Sequence, residues 1–368
     1  MHDLADLADL VARRGPFTSI YVNARSDRVD AADRLRIEWG NLRREAAAHG
    51  APDAAIATID ELAATTHHGD AAAFAVIIDG DGGAHREALI DPIDHDVVDV
   101  DTLPRLGPII EVRQGSIPHL LVVADRVGAD LVAVAGGGET AAESVEGSEV
   151  DIHRGAPGGW SQRRFQQRAE NRWEDNARGV AEEAARAARD IGARIVVVAG
   201  DERAVGFLRE HLPTDVAGLV VEVDGSRHDD LDGIADDAVR LVATEVAREV
   251  VERLEAFASA RGRGDAVDGV TATLTALTER RVERLVIHDD PDDDRRAAIS
   301  DDRSVVVDDP SDAADIGVDV DDARLVDAAM AAALVTGAAI TIVPSAGRNA
   351  PAEGLGASLR GGGTTSAG

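Results

Sequence analysis

Arg154, Arg163, Arg164, Arg168, Arg172 and Arg178 crowd a stretch whose only acids are Glu170, Glu174 and Asp175, so six bases against three acids leave it at +3. The whole chain carries a formal charge of −31. Arg164, Arg168 and Arg172 are spaced by four, which puts them in one row along a helix, with Gln167 and Asn171 on or near the same face. Guanidinium groups in a row suit phosphates. A net-negative chain is repelled by nucleic acid on average, so RNA contact has to come from a local basic patch. Just before the row, Gly155-Ala156-Pro157-Gly158-Gly159 has a backbone free to follow a phosphate chain, and Trp160 can stack on a base. The competing reading is a helix whose arginines merely face solvent. The contrast with the rest of the chain favours RNA contact through Arg154, Gly158, Gly159, Trp160, Ser161, Gln162, Arg163, Arg164, Arg168 and Arg172.

A chain of 368 residues is too long for one ordinary domain and suits two or three. With 44% hydrophobic but only 2% aromatic residues, its core must be built from Ala, Val, Leu and Ile. Cysteine is absent, which excludes disulfides, thiolate zinc sites and cysteine nucleophiles together. Every base is Arg. The acidity fits the codons of a GC-rich genome or a high-salt cytoplasm, and the codon reading is the simpler. Met1-His2-Asp3-Leu4-Ala5-Asp6 has no basic or apolar region of a signal peptide. The uncharged run Ala328 to Gly347 is broken by Thr336-Gly337 and Pro344, so it reads as a helix, a turn and a strand, not a membrane span. We expect a cytoplasmic protein with no membrane contact, no cofactor and no metal.

Three α/β blocks emerge, at residues 1–116, 117–260 and 261–368. The first opens on a helical Leu4-Leu7-Leu10-Val11 pattern and the strand-like Phe17 to Val22. A helix over Arg28 to His49 follows, then two strands, Ala73 to Ile78 and Glu87 to Ile90, around a Gly-rich turn. The second has a hairpin, Leu120 to Asp125 with Ala129 to Ala135, then a Gly- and Glu-rich loop and one long helix from Trp160 to about Asp190. The buried strand Arg194 to Ala199 and the strand Leu219 to Val223 then alternate with a short helix, which argues a parallel pair. A long helix over Asp229 to Ser259 carries Val239, Val242, Val246, Val250, Leu254 and Phe257 as its apolar stripe. Arg261-Gly262-Arg263-Gly264 reads as a linker. In the third block, Val305 to Val307, a helix from Asp322 to Val335 and a strand Ala339 to Val343 read as a second alternating unit.

Gly158-Gly159-Trp160-Ser161-Gln162-Arg163-Arg164-Phe165 and the polar helix after it resemble the catalytic loop and helix of archaeal and eukaryotic class-1 release factors. There Gly-Gly-Gln is followed by Ser and, after two more residues, by Arg-Phe, which fall here on Ser161 and on Arg164-Phe165. Gly15-Pro16-Phe17-Thr18-Ser19-Ile20-Tyr21 resembles the opening of the bacterial relatives. So do Asp268-Gly269-Val270 to Leu277, Val282 to Ile287, and Gly354-Leu355-Gly356-Ala357-Ser358-Leu359-Arg360. The resemblance is to the Pelota-like relatives of these factors, nearest the actinobacterial branch that includes hibernation factors of the Balon type. It implies a three-domain architecture with mixed sheets, long flanking helices and a third domain like an RNA-binding ribosomal protein. It also implies ribosomal RNA near the A site as the partner, with elongation factor Tu delivering the protein.

One departure bears on function. Where the resemblance places the glutamine that positions the hydrolytic water, this chain has Trp160. An indole neither fits that space nor coordinates the water, and Gln162 stands two residues late. The first block carries no basic codon-reading motif. The reading is therefore a non-enzymatic, A-site-binding factor of the hibernation or rescue kind. A peptidyl-tRNA hydrolase that uses Gln162 is the alternative, and an acidic scaffold binding only protein is a third class.

Other constellations offer less. Adjacent His67 and His68 point apart in a loop and lack further metal ligands at a useful spacing. Asp289 to Asp294 lacks the Gly and terminal Glu of a calcium loop and reads as solvated surface. Asp201 and Asp125 could imitate a nuclease cluster, yet Asp201 fits better as the cap of a helix at Glu202. Gly136-Gly137-Gly138-Glu139-Thr140 lacks the lysine of a phosphate-binding loop.

Overall fold

The computed structural model describes residues 4–24, 31–65, 72–89, 93, 96–125, 127–136, 140–146, 159–226, 231–315, 318–344 and 349–361. In residues 31–35, 65, 146, 159–173, 175, 231 and 232 the backbone alone is described.

The chain opens with α1 (Ala5–Val11), whose Leu7, Leu10 and Val11 are buried, and β1 (Phe17–Asn23). Two helices follow, α2 (Ala31–Ala48) and α3 (Asp53–Thr65), then β2 (Ala73–Ile78), β3 (Ala84–Leu89), β4 (Val97–Asp101) and α4 (Gly107–Gly115). The four strands form one antiparallel sheet in the order β3-β2-β1-β4. Central β1 and β2 are buried on both faces, because Trp39, Leu42 and Ile59 cover one face while Leu7, Leu10 and Ile109 belong to the core on the other. The sequence pattern did not reveal α3 or β4.

The middle of the chain holds β5 (His119–Ala124), β6 (Gly128–Val134), β7 (Thr140–Glu146), α5 (Gly159–Asp190) and β8 (Ile195–Gly200). After them come α6 (Glu202–His211), α7 (Thr214–Ala217), β9 (Val220–Glu222) and α8 (Leu231–Arg263). The sheet order is β7-β6-β5-β8-β9, with β5, β8 and β9 parallel and the hairpin strands antiparallel. The parallel pairing and the hairpin agree with the sequence pattern. The stretch read as a loop after the hairpin does not: β7 pairs with β6 along its full length. Its residues are mostly exposed at the sheet edge, so Thr-Ala-Ala-Glu-Ser-Val-Glu shows no apolar alternation to betray a strand.

The last part contains β10 (Ala266–Asp268), α9 (Val270–Thr278), β11 (Val282–Ile287), β12 (Arg296–Ser300), β13 (Val306–Val307) and α10 (Pro310–Asp315). It ends in β14 (Val320–Arg324), α11 (Leu325–Val335), β15 (Ala339–Ile342) and β16 (Leu355–Leu359). One sheet runs β10-β16-β11-β15 and is mixed, with β11 and β15 parallel; a smaller antiparallel one runs β13-β12-β14. The second alternating unit read from the sequence is therefore split. Val306–Val307 lies in the small sheet, and Ala339–Ile342 pairs with β11 in the other. The helix there begins at Leu325, because Asp321 and Asp322 belong to β14.

Where the sequence divides into blocks 1–116, 117–260 and 261–368, the α/β fold has two compact units, residues 1–114 with 249–368, and residues 115–248. The first and third blocks share a core in which Leu7, Phe17 and Ile109 join Leu277, Met330 and Leu355. Arg261-Gly262-Arg263 is the last turn of α8, not a linker. Arg261 pairs with Asp268 and Arg263 with Asp265, while Gly264 at φ +82° ends the helix in the left-handed conformation. In α8 the buried positions are Ile234, Ala238, Leu254, Phe257 and Ala260, whereas Val239, read as part of the stripe, is 63% exposed. Among the described residues no helix is long and apolar enough to cross a membrane.

Candidate nucleic-acid interface

The basic row sits on α5, a helix of 32 residues that starts at Gly159. Arg154 and Gly158 lie outside the described residues. Gly159, Trp160, Ser161, Gln162, Arg163, Arg164, Arg168 and Arg172 are placed by the helical backbone alone. The C-terminal half of α5 anchors the rest: Val180, Ala181, Ala184, Ala185 and Ala188 pack with Leu120 and Val122 of β5, Leu131 of β6 and Val196 of β8. Small alanines let the helix lie close on the sheet. At about 100° per residue, positions 164, 168 and 172 fall opposite the buried Ala177, Ala181, Ala184 and Ala188. They share the side that carries exposed Arg178, Glu182, Arg186 and Arg189. With a rise of roughly 1.5 Å per residue, the start of α5 stands roughly 27 Å along the axis from Ala177.

Charge along α5 is uneven. Arg186 pairs with Glu183 at 2.7 Å, Glu143 at 2.9 Å and Asp190 at 3.3 Å, and Arg189 with Asp215 at 2.9 Å. Bonds to Glu183 and then Glu143 hold the Arg186 guanidinium above its ordinary value, and the Asp215 bond does the same for Arg189. These exposed pairs contribute little to stability, but they cancel charge where they sit. The surplus of bases belongs to the N-terminal half. The positive end of the helix dipole and the first free N–H groups are there too, a combination that receives phosphate.

The carboxylates that could imitate a nuclease have other tasks. Asp201 caps α6 by accepting from Arg203 N at 3.1 Å, and Asp125 accepts from Val127 N and Gly128 N in the β5–β6 turn. His67 and His68 and residues 137–139 of the glycine-rich stretch lie outside the described residues. The acidic run from Asp289 is not merely solvated surface. Asp289 holds the buried Arg324 at 2.6 Å, where the guanidinium needs a counterion, and Asp293 pairs with the exposed Arg295 at 2.6 Å.

Sequence reasoning also missed two clusters. Asp6, His85 and Glu87 bring their ligand atoms within 4.8 Å of one another, a spacing open to a metal ion. Arg113 fills that role instead, donating to Asp6 at 2.8 and 2.6 Å and to Glu87 at 3.0 and 2.8 Å. The second cluster surrounds Asp327, which is 3% exposed near the start of the alanine-rich α11. Its one sequence signal is a lone acid beside an apolar run. In neither case does spacing along the chain announce the partners.

Comparison with known proteins bears on the first of these surfaces. Residues 118–263, from the residue before β5 to the last residue of α8, match the family model of bacterial archaeo-eukaryotic release factor family 2. This segment is release-factor-like. The chain is also 27% identical over 361 residues to the uncharacterized proteins MT2704 and Rv2629 of Mycobacterium tuberculosis strains CDC 1551 / Oshkosh and ATCC 25618 / H37Rv. The alignment spans 95% of this chain and 95% of each of theirs. Among solved structures, Archaeoglobus fulgidus Pelota aligns over 98% of this chain and 92% of its own at 12% identity and a TM-score of 0.37. Saccharomyces cerevisiae Dom34 gives 98%, 92%, 10% and 0.38 in the same order. An archaeal termination factor, aRF1, gives 96% of each chain, 17% identity and a TM-score of 0.27. The structural likeness at these scores is loose. The release-factor-like segment contains the whole of α5, so the basic row and the Gly-Gly start lie inside it.

Proposed function

We propose that this chain binds the ribosome as a factor of the hibernation or rescue kind, with the start of α5 against ribosomal RNA near the A site and without release chemistry of its own. The observation that carries the reading is a substitution: a segment matching a release-factor family model has Trp160 where the resemblance places the catalytic glutamine. The uneven charge of α5 supports it. Bases without matching acids collect at the end where a helix already favours phosphate. The reading places the protein in the cytoplasm, and the resemblance makes elongation factor Tu its delivery partner.

Co-sedimentation with ribosomes tests binding, and peptidyl-tRNA hydrolysis on loaded ribosomes tests chemistry. The expected result is sedimentation with the ribosome and no release. Release that vanishes in Gln162→Ala would establish a hydrolase instead. Failure to sediment in low salt would leave a protein-binding scaffold as the better description.

A further inference from the structure

A cavity of about 190 Å³ lies inside the unit formed by residues 1–114 and 249–368, with Arg253 of α8 and Arg284 of β11 on its wall. Leu4, Ile110 and Ile340 supply apolar lining. Gln114 also borders it, but its amide is committed to the edge of β15, donating to Ile342 O at 2.8 Å and accepting from Ile342 N at 3.0 Å. The charged donors left to a guest are the guanidinium groups.

The two arginines differ in their counterions. Arg253 is paired with Glu249 at 2.8 Å. Arg284 donates to the buried hydroxyl of Thr341 at 3.1 Å, and among the described residues no carboxylate lies within ion-pair distance of it. Its exposed neighbour Glu283 opposes the shift of this guanidinium but does not come within ion-pair distance of it. Arg284 is thus a partly buried cation beside a second cation. Burial, and then the charge of Arg253, hold its guanidinium below the ordinary value, and burial does the same to Arg253. Partial withdrawal of a charge from water without a counterion is costly, so such a group on the wall of a cavity favours an anion that comes from outside the chain.

We infer that this cavity binds a small amphipathic carboxylate, its charged end between Arg284 and Arg253 and its aliphatic body against Leu4, Ile110 and Ile340. Charge selects the head group. Among the groups within ion-pair distance, two guanidiniums face one carboxylate, Glu249, and the surplus of a single positive charge suits a monoanion better than a phosphate dianion. Size selects the body. An apolar cavity of roughly 150 Å³ accepts benzene, so this one holds about seven non-hydrogen atoms. The apolar wall offers no hydrogen bonds and favours a branched or short alkyl chain. The site is independent of the ribosome-binding reading, since it uses no residue of α5.

The test uses the full chain and sodium isovalerate, a carboxylate of that size, in thermal unfolding and titration calorimetry. The uncharged 3-methylbutanol, sodium phosphate and sodium chloride serve as comparisons at matched ionic strength. Isovalerate at about 10 mM should raise the unfolding temperature on the order of 3 °C, while the other three leave it unchanged. Arg284→Gln should unfold at the same temperature as wild type or higher without ligand, because it removes an unpaired charge. It should bind isovalerate at least about tenfold more weakly, as expected for loss of a charge-assisted bond. Arg284→Lys keeps the charge and should recover part of the affinity. Equal stabilisation by phosphate, chloride or the alcohol, undiminished binding by Arg284→Gln, or no response to isovalerate each overturns the assignment.

Discussion

Arg324 Nη1 comes no nearer than 3.4 Å to the Asp327 carboxylate, while Nη2 of the same guanidinium donates to Asp289 at 2.6 Å. One cation faces two acids, and the nearer acid takes it. Burial therefore governs Asp327 and pushes its carboxyl up to about 7, opposed by Arg324 and Arg105 and assisted by Asp289 and Asp99. Unfolded, the group titrates near 3.8. Below that value both states hold the proton and its contribution to stability is complete. Between 3.8 and about 7 only the folded state holds it, so stability falls as pH rises and the contribution is gone above about 7. At 1.36 kcal/mol per pH unit the upper limit is roughly 4 kcal/mol. Asp327→Asn, neutral at every pH, should match wild type below about pH 4 and exceed it by a margin that grows up to about pH 7, as read by chemical denaturation at several pH values on either side of those limits. Parallel stability profiles for the two proteins would refute this account.

Arg113→Met should destabilise the unit that holds α1 and α4 by about 2 kcal/mol in urea unfolding at pH 7. The substitution keeps the stem but strands Glu87, while Asp6 can turn to solvent. Arg113 holds the Asp6 carboxyl below its usual range. For Glu87, burial acts upward, but bonds from His85 and Arg113 bring the net value down. Both shifts are downward, so the stability they supply is present above the usual carboxylate range and is lost as pH falls through the depressed values. The variant should accordingly lose less stability than wild type between pH 5 and pH 3. An identical acid profile would show that Arg113 does not set these two groups.

Gly200→Ala should destabilise residues 115–248 on the order of 3 kcal/mol, visible as a lower unfolding midpoint with an unchanged slope. Gly200 ends β8 at φ +149°, and a Cβ there would stand 2.0 Å from Ala124 O on the paired strand β5. Neither backbone can move without breaking the parallel register on which α5 packs. A near-neutral result would mean that the β5–β8 pairing is looser than its geometry.

How much of this was readable from residues alone differs by element. The β5–β6 hairpin and the buried run of β8 were legible because Leu120 to Ala124 and Ile195 to Ala199 are short apolar runs bounded by Asp125 and Gly200-Asp201. β7 was not, since an exposed edge strand need not alternate. The shared core of the first and third blocks was not legible either, because periodicity locates an apolar face but not the face it meets. That Leu7 and Leu277 belong to one core is a tertiary fact. The same limit hid Arg284, an ordinary strand arginine until the neighbourhood of Arg253 is known and no ion pair to it is found among the described residues. The basic row was legible as positions on a helix, and α5 places those positions on the side opposite its buried alanines.

That placement makes the row testable by salt. If Arg164, Arg168 and Arg172 contact ribosomal RNA phosphates, each releases counterions on binding, and affinity falls steeply as salt rises. Replacing all three with Gln should weaken ribosome binding and flatten the dependence of log affinity on log salt by about one unit for each arginine that neutralises a phosphate. The protein should still unfold at the wild-type temperature, because helical phase keeps these positions off the buried face. Trp160→Ala should weaken binding with a smaller change of slope, since stacking on a base displaces no counterions and is worth about 1–3 kcal/mol. Equilibrium binding at several salt concentrations separates the two effects. Should the triple variant bind as tightly as wild type near physiological salt, the row is a solvated helix face and the RNA interface lies elsewhere.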